Sequence, residues 1–138
     1  MMGGSGINCY LSSNPIINNC VISGNTAYYC GGAIGCVMYC TPIIKNCTIT
    51  GNKSDPYVRG IYCAYSNPTI TNCILWENSV PDGNEIYSYN SLVNITYSDI
   101  QGGWAGLGNI NLDPCFIEPG YWDGDIWVDG DYHLPPST

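Results

Sequence analysis

The chain has 138 residues, which suits a single domain, and its composition is 45% hydrophobic but only 10% charged. The formal net charge is −8 and only three residues are Lys or Arg, so a basic surface for nucleic acid or an anionic membrane is excluded. No apolar run approaches the roughly 20 residues of a membrane span, so we expect no membrane-spanning segment.

The first residues, MMGGSGINCY, lack the basic region and the apolar stretch of a signal peptide. They look like the interior of a repeat. We therefore expect the sequence to be a fragment of a larger polypeptide.

Three similar segments follow along the chain: SNPIINNCVISGN at 13–25, CTPIIKNCTITGN at 40–52 and SNPTITNCILWEN at 66–78. Their Asn-Cys pairs place Cys20, Cys47 and Cys73 at intervals of 27 and 26 residues, and Ser98 follows after 25 in the weaker copy VNITYSDIQGG. A second column has nearly the same period, at Cys9, Cys36, Cys63 and Ser88. Two columns with one period indicate a repeat fold.

Each copy is rich in Ile, Val, Thr, Tyr and Asn, which is the composition of strands. Ile70, Cys73 and Leu75 are predicted to face inward, and Asn72 between them is predicted to form a corner because Asn tolerates the left-handed conformation. Gly24-Asn25 and Gly51-Asn52 mark another corner. Each repeat therefore predicts three short strands that stack about 4.8 Å apart as a rung of a parallel solenoid. Stacked corner asparagines are expected to hydrogen-bond from rung to rung.

The copies GGAIGCVMYCTPIIKNCTITGN and GIYCAYSNPTITNCILWEN resemble the right-handed parallel β-helix repeats of the pectate-lyase-like superfamily, in the form found in secreted and surface proteins of bacteria. The resemblance implies an all-β, right-handed parallel β-helix (solenoid) of about four rungs with an irregular C-terminal cap. GLGNINLDPCFIEPG with WVDGDYHLPPST is similar to the end piece of such proteins, without its final cysteine-containing stretch. That implies truncation at the C-terminus.

These features divide the chain into rungs at 1–109 and a cap at 110–138. The cap, which contains Trp122 and Trp127, breaks the period and is expected to cover the end of the solenoid and block edge-to-edge growth. The first rung has no comparable cap. It is therefore expected to stack on the remainder of a larger polypeptide or on a second copy, which would make the chain a self-stacking assembly unit.

Nine cysteines need an explanation. Those of the two columns are predicted to be small apolar core residues with free thiols, and disulfides between rungs are the alternative. Cys30, Cys40 and Cys115 lie outside the columns, and Cys115 is the candidate for a partner on a missing segment. No Cys-x-x-Cys pair occurs and His133 is the single histidine, so a structural zinc site is not expected.

Four aspartates cluster in WDGDIWVDGDY: Asp123, Asp125, Asp129 and Asp131. Two Asp-Gly-Asp units could fold over one calcium ion, since calcium takes several oxygens from flexible loops. The alternative is two turns with exposed acids, because Asp-Gly is typical of turns. His133, in the same segment, is predicted to be a packed or hydrogen-bonded cap residue rather than a general base.

The resemblance also raises a polysaccharide lyase or a glycoside hydrolase as an alternative function. Arg59 is the one base expected to have acidic neighbours. Stacking of Gly60 under Glu85, 25 residues on, would bring Arg59 near Glu85 and near Asp55 or Asp82. We interpret this group as a surface ion pair. No rung shows the paired aspartates or the acid cluster with Arg that such enzymes need, so no catalytic residue is assigned and a non-enzyme is favoured.

Tyr62 and Tyr87 occupy equivalent positions one rung apart, in Ile-Tyr-Cys and Ile-Tyr-Ser, and Tyr89 lies two residues further on. All three are predicted to face outward, where aromatic rings with phenol tips suit the faces of sugars. The alternative is cross-strand packing that stabilises the sheet. The sequence therefore predicts a non-catalytic β-helix module of a larger secreted or cell-surface protein, a rigid spacer or display surface that contacts a polysaccharide.

Overall fold

The structure, a computed structural model, describes residues 6–28, 31–55, 60–78 and 85–136. Within these residues the regular structure consists of strands, and none forms a helix long and apolar enough to cross a membrane. Three parallel sheets stack rung upon rung, which confirms the predicted all-β parallel solenoid.

The three sheets contain four strands each among the described residues. Sheet A joins β1 (Ile7–Tyr10), β5 (Ile34–Val37), β9 (Ile61–Ala64) and β12 (Ile86–Tyr89). Sheet B joins β2 (Ile16–Asn18), β6 (Ile43–Lys45), β10 (Thr69–Thr71) and β13 (Asn94–Thr96). Sheet C joins β3 (Val21–Ser23), β7 (Thr48–Thr50), β11 (Ile74–Trp76) and β14 (Asp99–Ile100). Four rungs in register make about three full turns.

Two further pairs of strands were not predicted. In the first two rungs a fourth short strand follows sheet C, where β4 (Thr26–Tyr28) pairs in parallel with β8 (Lys53–Asp55). Near the C-terminus, β15 (Tyr121–Asp123) and β16 (Ile126–Val128) form an antiparallel hairpin.

The core is built from columns of identical or similar side chains that point inward. Sheet B supplies Ile17, Ile44, Ile70 and Ile95, and sheet C supplies Ile22, Ile49, Leu75 and Ile100, all of them buried. Burial of each such side chain contributes roughly 1.5–3 kcal/mol. The inward positions predicted for Ile70, Cys73 and Leu75 are confirmed.

Three corners connect the strands of a rung, and each contains a residue with positive φ. The first corner, after sheet A, has two such residues in each of the first two rungs and one in each of the last two: Leu11 with Ser12, Met38 with Tyr39, Tyr65, and Asn90. The second corner, between sheets B and C, has Asn19, Asn46, Asn72 and Tyr97, with φ between 51° and 56°. The third corner, after sheet C, has Gly24, Gly51 and Glu77. The predicted corners at Asn72, Gly24-Asn25 and Gly51-Asn52 are confirmed.

At the first two corners the residue after the turn donates a side-chain hydrogen bond back to a carbonyl before it. At the second corner the donor reaches the residue two positions earlier in every rung, from Cys20 Sγ to Asn18 O (3.3 Å), Cys47 Sγ to Lys45 O (3.2 Å), Cys73 Sγ to Thr71 O (3.4 Å) and Ser98 Oγ to Thr96 O (3.0 Å). Lys45 O, Thr71 O and Thr96 O also accept the backbone N–H of the preceding rung, so the side chain adds a second hydrogen bond to each of these carbonyls.

Cysteine and serine are exchangeable in these columns because both are small donors. The first corner has the same arrangement in a third column, which was not predicted, at Ser13, Cys40, Ser66 and Ser91. Hydrogen bonds between neighbouring thiols, and then burial, raise the pKa of Cys9, Cys36 and Cys73. These thiols are protonated at neutral pH and poorly nucleophilic. The eight described cysteines are free, and Cys30 lies outside the described residues.

Asparagines link the rungs at two corners, as predicted. On the exposed second corner, Asn72 Nδ2 donates to Asn46 Oδ1 (2.7 Å) and Asn46 Nδ2 to Asn18 Oδ1 (2.9 Å). At the third corner a buried ladder runs from Asn25 through Asn52 (2.8 Å) to Asn78 (2.7 Å). Asn78 Nδ2 then donates to the buried carboxylate of Glu85 at 2.6 Å.

Residues 104–110 lie against the last rung of the solenoid. Trp104 packs against the core, and backbone bonds join Tyr97 N to Leu107 O (2.9 Å) and Ile110 N to Ser98 O (2.9 Å). Further along the chain, Trp127 and Asp129 lie against Gly24 and Ser23 of the first rung. The division into rungs at 1–109 and a cap at 110–138 stays a prediction.

The C-terminal hairpin, β15 and β16, lies against the third corner of the first two rungs. A Cβ at Gly24 would come within 2.6 Å of the Trp127 ring, and one at Gly51 would overlap the same ring. Lys53 Nζ lies 3.8 Å from the centroid of the Trp122 ring and 3.8 Å from Asp125 Oδ1. The two glycines thus serve both the positive φ of the corner and the close approach of Trp127.

We predict that Ser66→Ala lowers the free energy of unfolding by about 1–3 kcal/mol. Ser66 Oγ is buried, donates to Ala64 O and accepts from Cys40 N (3.2 Å). Its removal leaves the Cys40 N–H without this acceptor, whereas Ala64 O keeps its bond from Met38 N (3.1 Å). Urea unfolding measures the loss. Ser66→Cys, which restores the donor found at Cys40, should lose less. Equal losses in the two variants would contradict the role of the donor.

We predict that Gly51→Ala destabilises the protein more than Gly124→Ala. Both glycines have positive φ (65° and 60°), so both substitutions carry the backbone strain of roughly 1–2 kcal/mol. Only Gly51 contacts Trp127, whereas a Cβ at Gly124 would meet no heavy atom within 4 Å. The measurement is the difference in unfolding free energy. A Trp127→Ala background should remove that difference, and its persistence there would show that Trp127 is not the cause.

Candidate functional site: a tyrosine cluster on sheet A

Four tyrosines form a cluster where the outer face of sheet A meets the first corner: Tyr62, Tyr65, Tyr87 and Tyr89. Tyr62 and Tyr87 are register partners on β9 and β12, and their rings stack with centroids 5.3 Å apart and planes 5° apart. Tyr65 and Tyr89 meet edge to face, with centroids 5.6 Å apart. A hydrogen bond with Tyr65 raises the pKa of the Tyr89 phenol above its ordinary value.

The strand period explains this arrangement. Outward positions on sheet A alternate with the inward Ile and Cys columns, so Tyr87 and Tyr89 lie on the same face. Tyr87 is 42% exposed and Tyr89 is 49% exposed, whereas Tyr62 is only partly exposed. The structure brings together all three tyrosines singled out in the sequence.

Tyr65 is a member of the cluster that the sequence analysis did not single out. It is the positive-φ residue of the first corner, and its ring is 47% exposed. The signal in the sequence is its position 26 residues after Tyr39, which occupies the same corner of the previous rung.

The stacking geometry determines which aromatic faces are available. The rings of Tyr62 and Tyr87 face each other along the solenoid axis, so a sugar cannot lie flat on the pair. β12 is the last strand of sheet A, so the face of Tyr87 that points away from Tyr62 is the outer end of the stack. A flat ligand can stack on that face and meet the phenol tips of Tyr65 and Tyr89.

The acidic group around Arg59 is described only in part. Glu85 is buried and accepts hydrogen bonds from the backbone N and the Nδ2 of Asn78. Asp55 ends β8, while Arg59 and Asp82 lie outside the described residues. Ion pairing with Arg59 therefore stays a prediction. In the structure Glu85 terminates the buried asparagine ladder, which gives its carboxylate a structural role.

The structure does not bring the four aspartates together on one cation. Asp123 and Asp125 flank the tip of the C-terminal hairpin, whereas Asp129 and Asp131 follow its other end. Among the described residues, no group of three or more His, Cys, Asp or Glu side chains is placed to hold a metal ion. The calcium site predicted from spacing is thus divided by the hairpin into two separate pairs.

Asp129 and Asp131 have structural partners instead. Asp129 Oδ1 accepts hydrogen bonds from Ser23 Oγ (2.7 Å), Tyr132 Oη (2.9 Å) and Trp127 Nε1 (3.0 Å). These bonds, led by the one from Ser23, lower the pKa of Asp129. Asp131 bonds the backbone N and ring Nδ1 of His133, which lowers the pKa of Asp131. His133 is hydrogen-bonded to Asp131 but not packed, because its side chain is 87% exposed.

A solenoid of three parallel sheets with hydrogen-bonded corner columns defines a parallel β-helix repeat protein. The family model of the right-handed β-helix region matches residues 2–117, and the chain belongs to this family. No curated protein and no solved structure matches the chain.

We predict that Asp129 stabilises the folded state above its unfolded pKa of about 3.9, and that this stabilisation disappears as the pH falls through its lower folded pKa. The sign follows because the folded state binds the proton of Asp129 less readily than the unfolded state. Unfolding midpoints measured from about pH 6 to pH 2 test this. Asp129→Asn should be less stable at the upper pH and should lose less stability on acidification. Asp123→Asn, which removes the same charge from the hairpin, should behave like the unsubstituted chain.

Proposed function

We propose that this chain is a non-catalytic β-helix module of a secreted or cell-surface protein, which acts as a rigid display surface and binds a polysaccharide through the tyrosine cluster. The observation that carries the proposal is the stacked Tyr62–Tyr87 pair beside the edge-to-face Tyr65–Tyr89 pair. Four phenols on one exposed surface combine apolar ring area with hydrogen-bonding tips, which is what sugar rings require.

The rigidity of the scaffold supports this proposal. The cluster lies on β9, β12 and the first corner, and these backbones are fixed by a parallel ladder and by the Ser66–Ser91 column beneath them. Tyrosine has few rotatable bonds, so a preformed cluster loses little conformational entropy when it binds. Side chains ordered in this way suit repeated weak contacts with a linear glycan.

The composition of the face favours binding over catalysis. The outward positions of the sheet A strands are Asn8, Gly35, Tyr62 and Tyr87 in one column and Tyr10, Val37, Ala64 and Tyr89 in the other. These eight positions supply no carboxylate and no base, which a lyase or a hydrolase would need beside its substrate. They also suit a neutral glycan better than a polyanionic one, given the net charge of −8.

We predict that Tyr87→Ala weakens glycan binding about two- to twelvefold, the effect of roughly 0.5–1.5 kcal/mol for an aromatic pair. Tyr87→Phe should keep the stacking face and most of the affinity. Tyr62→Ala should have a smaller effect than Tyr87→Ala, because its ring supports Tyr87 from behind. The measurement is a broad glycan array with and without calcium, followed by titration of the ligands found.

The control is Tyr28→Ala, since Tyr28 is 76% exposed on β4, outside the tyrosine cluster. Examination of the bound glycans for cleavage separates binding from lyase or hydrolase activity. Silence across the array, or equal binding by Tyr87→Ala and Tyr28→Ala, would overturn the proposal.

A further inference from the structure

A cleft lies between sheet C and the returning C-terminal segment, away from the tyrosine cluster on sheet A. Its volume is about 580 Å³, within the range typical of small-molecule sites. Its floor is one outward column of sheet C, formed by Thr48, Ile74 and Asp99. One wall is the second corner, with Asn72 and Tyr97, and the other is the segment around Leu112 and Asp113.

Two carboxylates, those of Asp99 and Asp113, line the cleft, and no Lys, Arg or His is among the residues that line it. Asp99 is half-buried on a strand that faces the cleft. Desolvation first, and then the negative charge of Asp113, raise the pKa of Asp99. The charge on these two carboxylates is therefore not balanced by any side chain of the cleft.

In each carboxylate one oxygen accepts a hydrogen bond from the backbone, and the other accepts none from the described residues. Asp99 Oδ1 accepts from Leu112 N (3.1 Å), which ties the returning segment to the last rung. Asp113 Oδ1 accepts from Cys115 N (2.8 Å). Within the described residues no protein donor reaches Oδ2 of either aspartate, and the Oδ1 of Asn72 at the same wall likewise has no donor. Three acceptors thus remain around an acidic cleft with apolar side chains on its floor and wall.

The number of acceptors distinguishes between cations. A calcium ion takes six to eight oxygen ligands. The cleft offers only two carboxylates, and among the described residues no group of three or more His, Cys, Asp or Glu side chains is placed to hold a metal ion. A primary ammonium group has three donors and no acceptor, so the two carboxylates can satisfy it without the larger set of oxygens that calcium needs. The apolar side chains of Ile74 and Leu112 suit an organic body attached to that ammonium group.

We propose that this cleft binds a small organic ammonium ligand, with its charged group between Asp99 and Asp113 and its apolar body against Ile74 and Leu112. The site lies on sheet C and is independent of the tyrosine cluster on sheet A. Charge-assisted hydrogen bonds in a partly desolvated cleft supply the selectivity for a cation over a neutral molecule of the same shape.

The test uses para-(trifluoromethyl)benzylamine, which is protonated at neutral pH, and its neutral counterpart para-(trifluoromethyl)benzyl alcohol. Fluorine NMR of each probe is titrated with the full chain. We expect saturable binding of the amine, and binding of the alcohol that is at least about tenfold weaker. Asp99→Asn, which keeps the acceptor for Leu112 N, should weaken the amine by at least about fivefold and leave the alcohol unchanged.

The matched control is Asp125→Asn, which removes the same charge from the exposed hairpin tip and should leave amine binding unchanged. Asp113→Asn provides a second cleft variant and is expected to act like Asp99→Asn. The proposal is overturned by an absence of saturable amine binding. It is also overturned by equal affinities for amine and alcohol, or by equal effects of Asp99→Asn and Asp125→Asn.

Discussion

The fold depends on one local constraint, the hydrogen bonding of backbone groups where a rung turns a corner. A left-handed residue turns the chain, and the backbone N–H that follows it donates to a side chain of the next rung, as Cys40 N does to Ser66 Oγ and Cys73 N to Ser98 Oγ. The side chain after the turn also donates back to its own rung, as a second bond to a carbonyl that already accepts a backbone N–H: Cys47 does so to Lys45 O and Ser98 to Thr96 O. Each bond contributes only about 0.5–1.5 kcal/mol, but an unmade one would cost about 1–3 kcal/mol at a buried site. Because every rung turns the same corners, the donor recurs with the period of the fold, and Cys, Ser and Asn exchange according to the space available.

This constraint also explains what could be predicted from the sequence. The asparagines of the second corner predict the left-handed conformation directly, and the Ile and Cys columns predict which side chains face inward. Together with the repeat period, these two features were enough to predict the solenoid. The first corner was harder to recognise, because its left-handed residues share no chemistry and differ in number from rung to rung: Leu11, Ser12, Met38, Tyr39, Tyr65 and Asn90. Its donor column mixes Ser with Cys40 and was therefore missed. The C-terminal segment has no period at all. The path of this segment depends on the contact of Trp127 with Gly24 and Gly51, and both glycines are far from Trp127 in sequence.

The same geometry places candidate functions in the outward columns. Inward columns and corner donors are fixed by packing and hydrogen bonding, but an outward position of sheet A can carry Gly35 in one rung and Tyr62 in the next. When neighbouring rungs both carry tyrosine, the parallel register forces the rings to stack along the axis. The tyrosine cluster therefore presents the last ring face, ring edges and phenol tips rather than a broad flat platform. Binding of a sugar to this surface depends on where the outward tyrosine column of sheet A ends, and among the described strands it ends at β12.

The returning C-terminal segment changes how the rungs depend on one another. In a simple solenoid each rung contacts only its neighbours, and stability is a sum of local terms. Here Leu112 bonds Asp99 of the fourth rung, while Trp127 and Asp129 contact Gly24 and Ser23 of the first. One continuous segment therefore contacts both ends of the stack, and its release would remove contacts with the first rung and the fourth rung together. The cleft with Asp99 and Asp113 exists only while that segment is in place. Any ligand that occupies the cleft must then stabilise the attached segment by mass action, and through it the coupling between the first rung and the last.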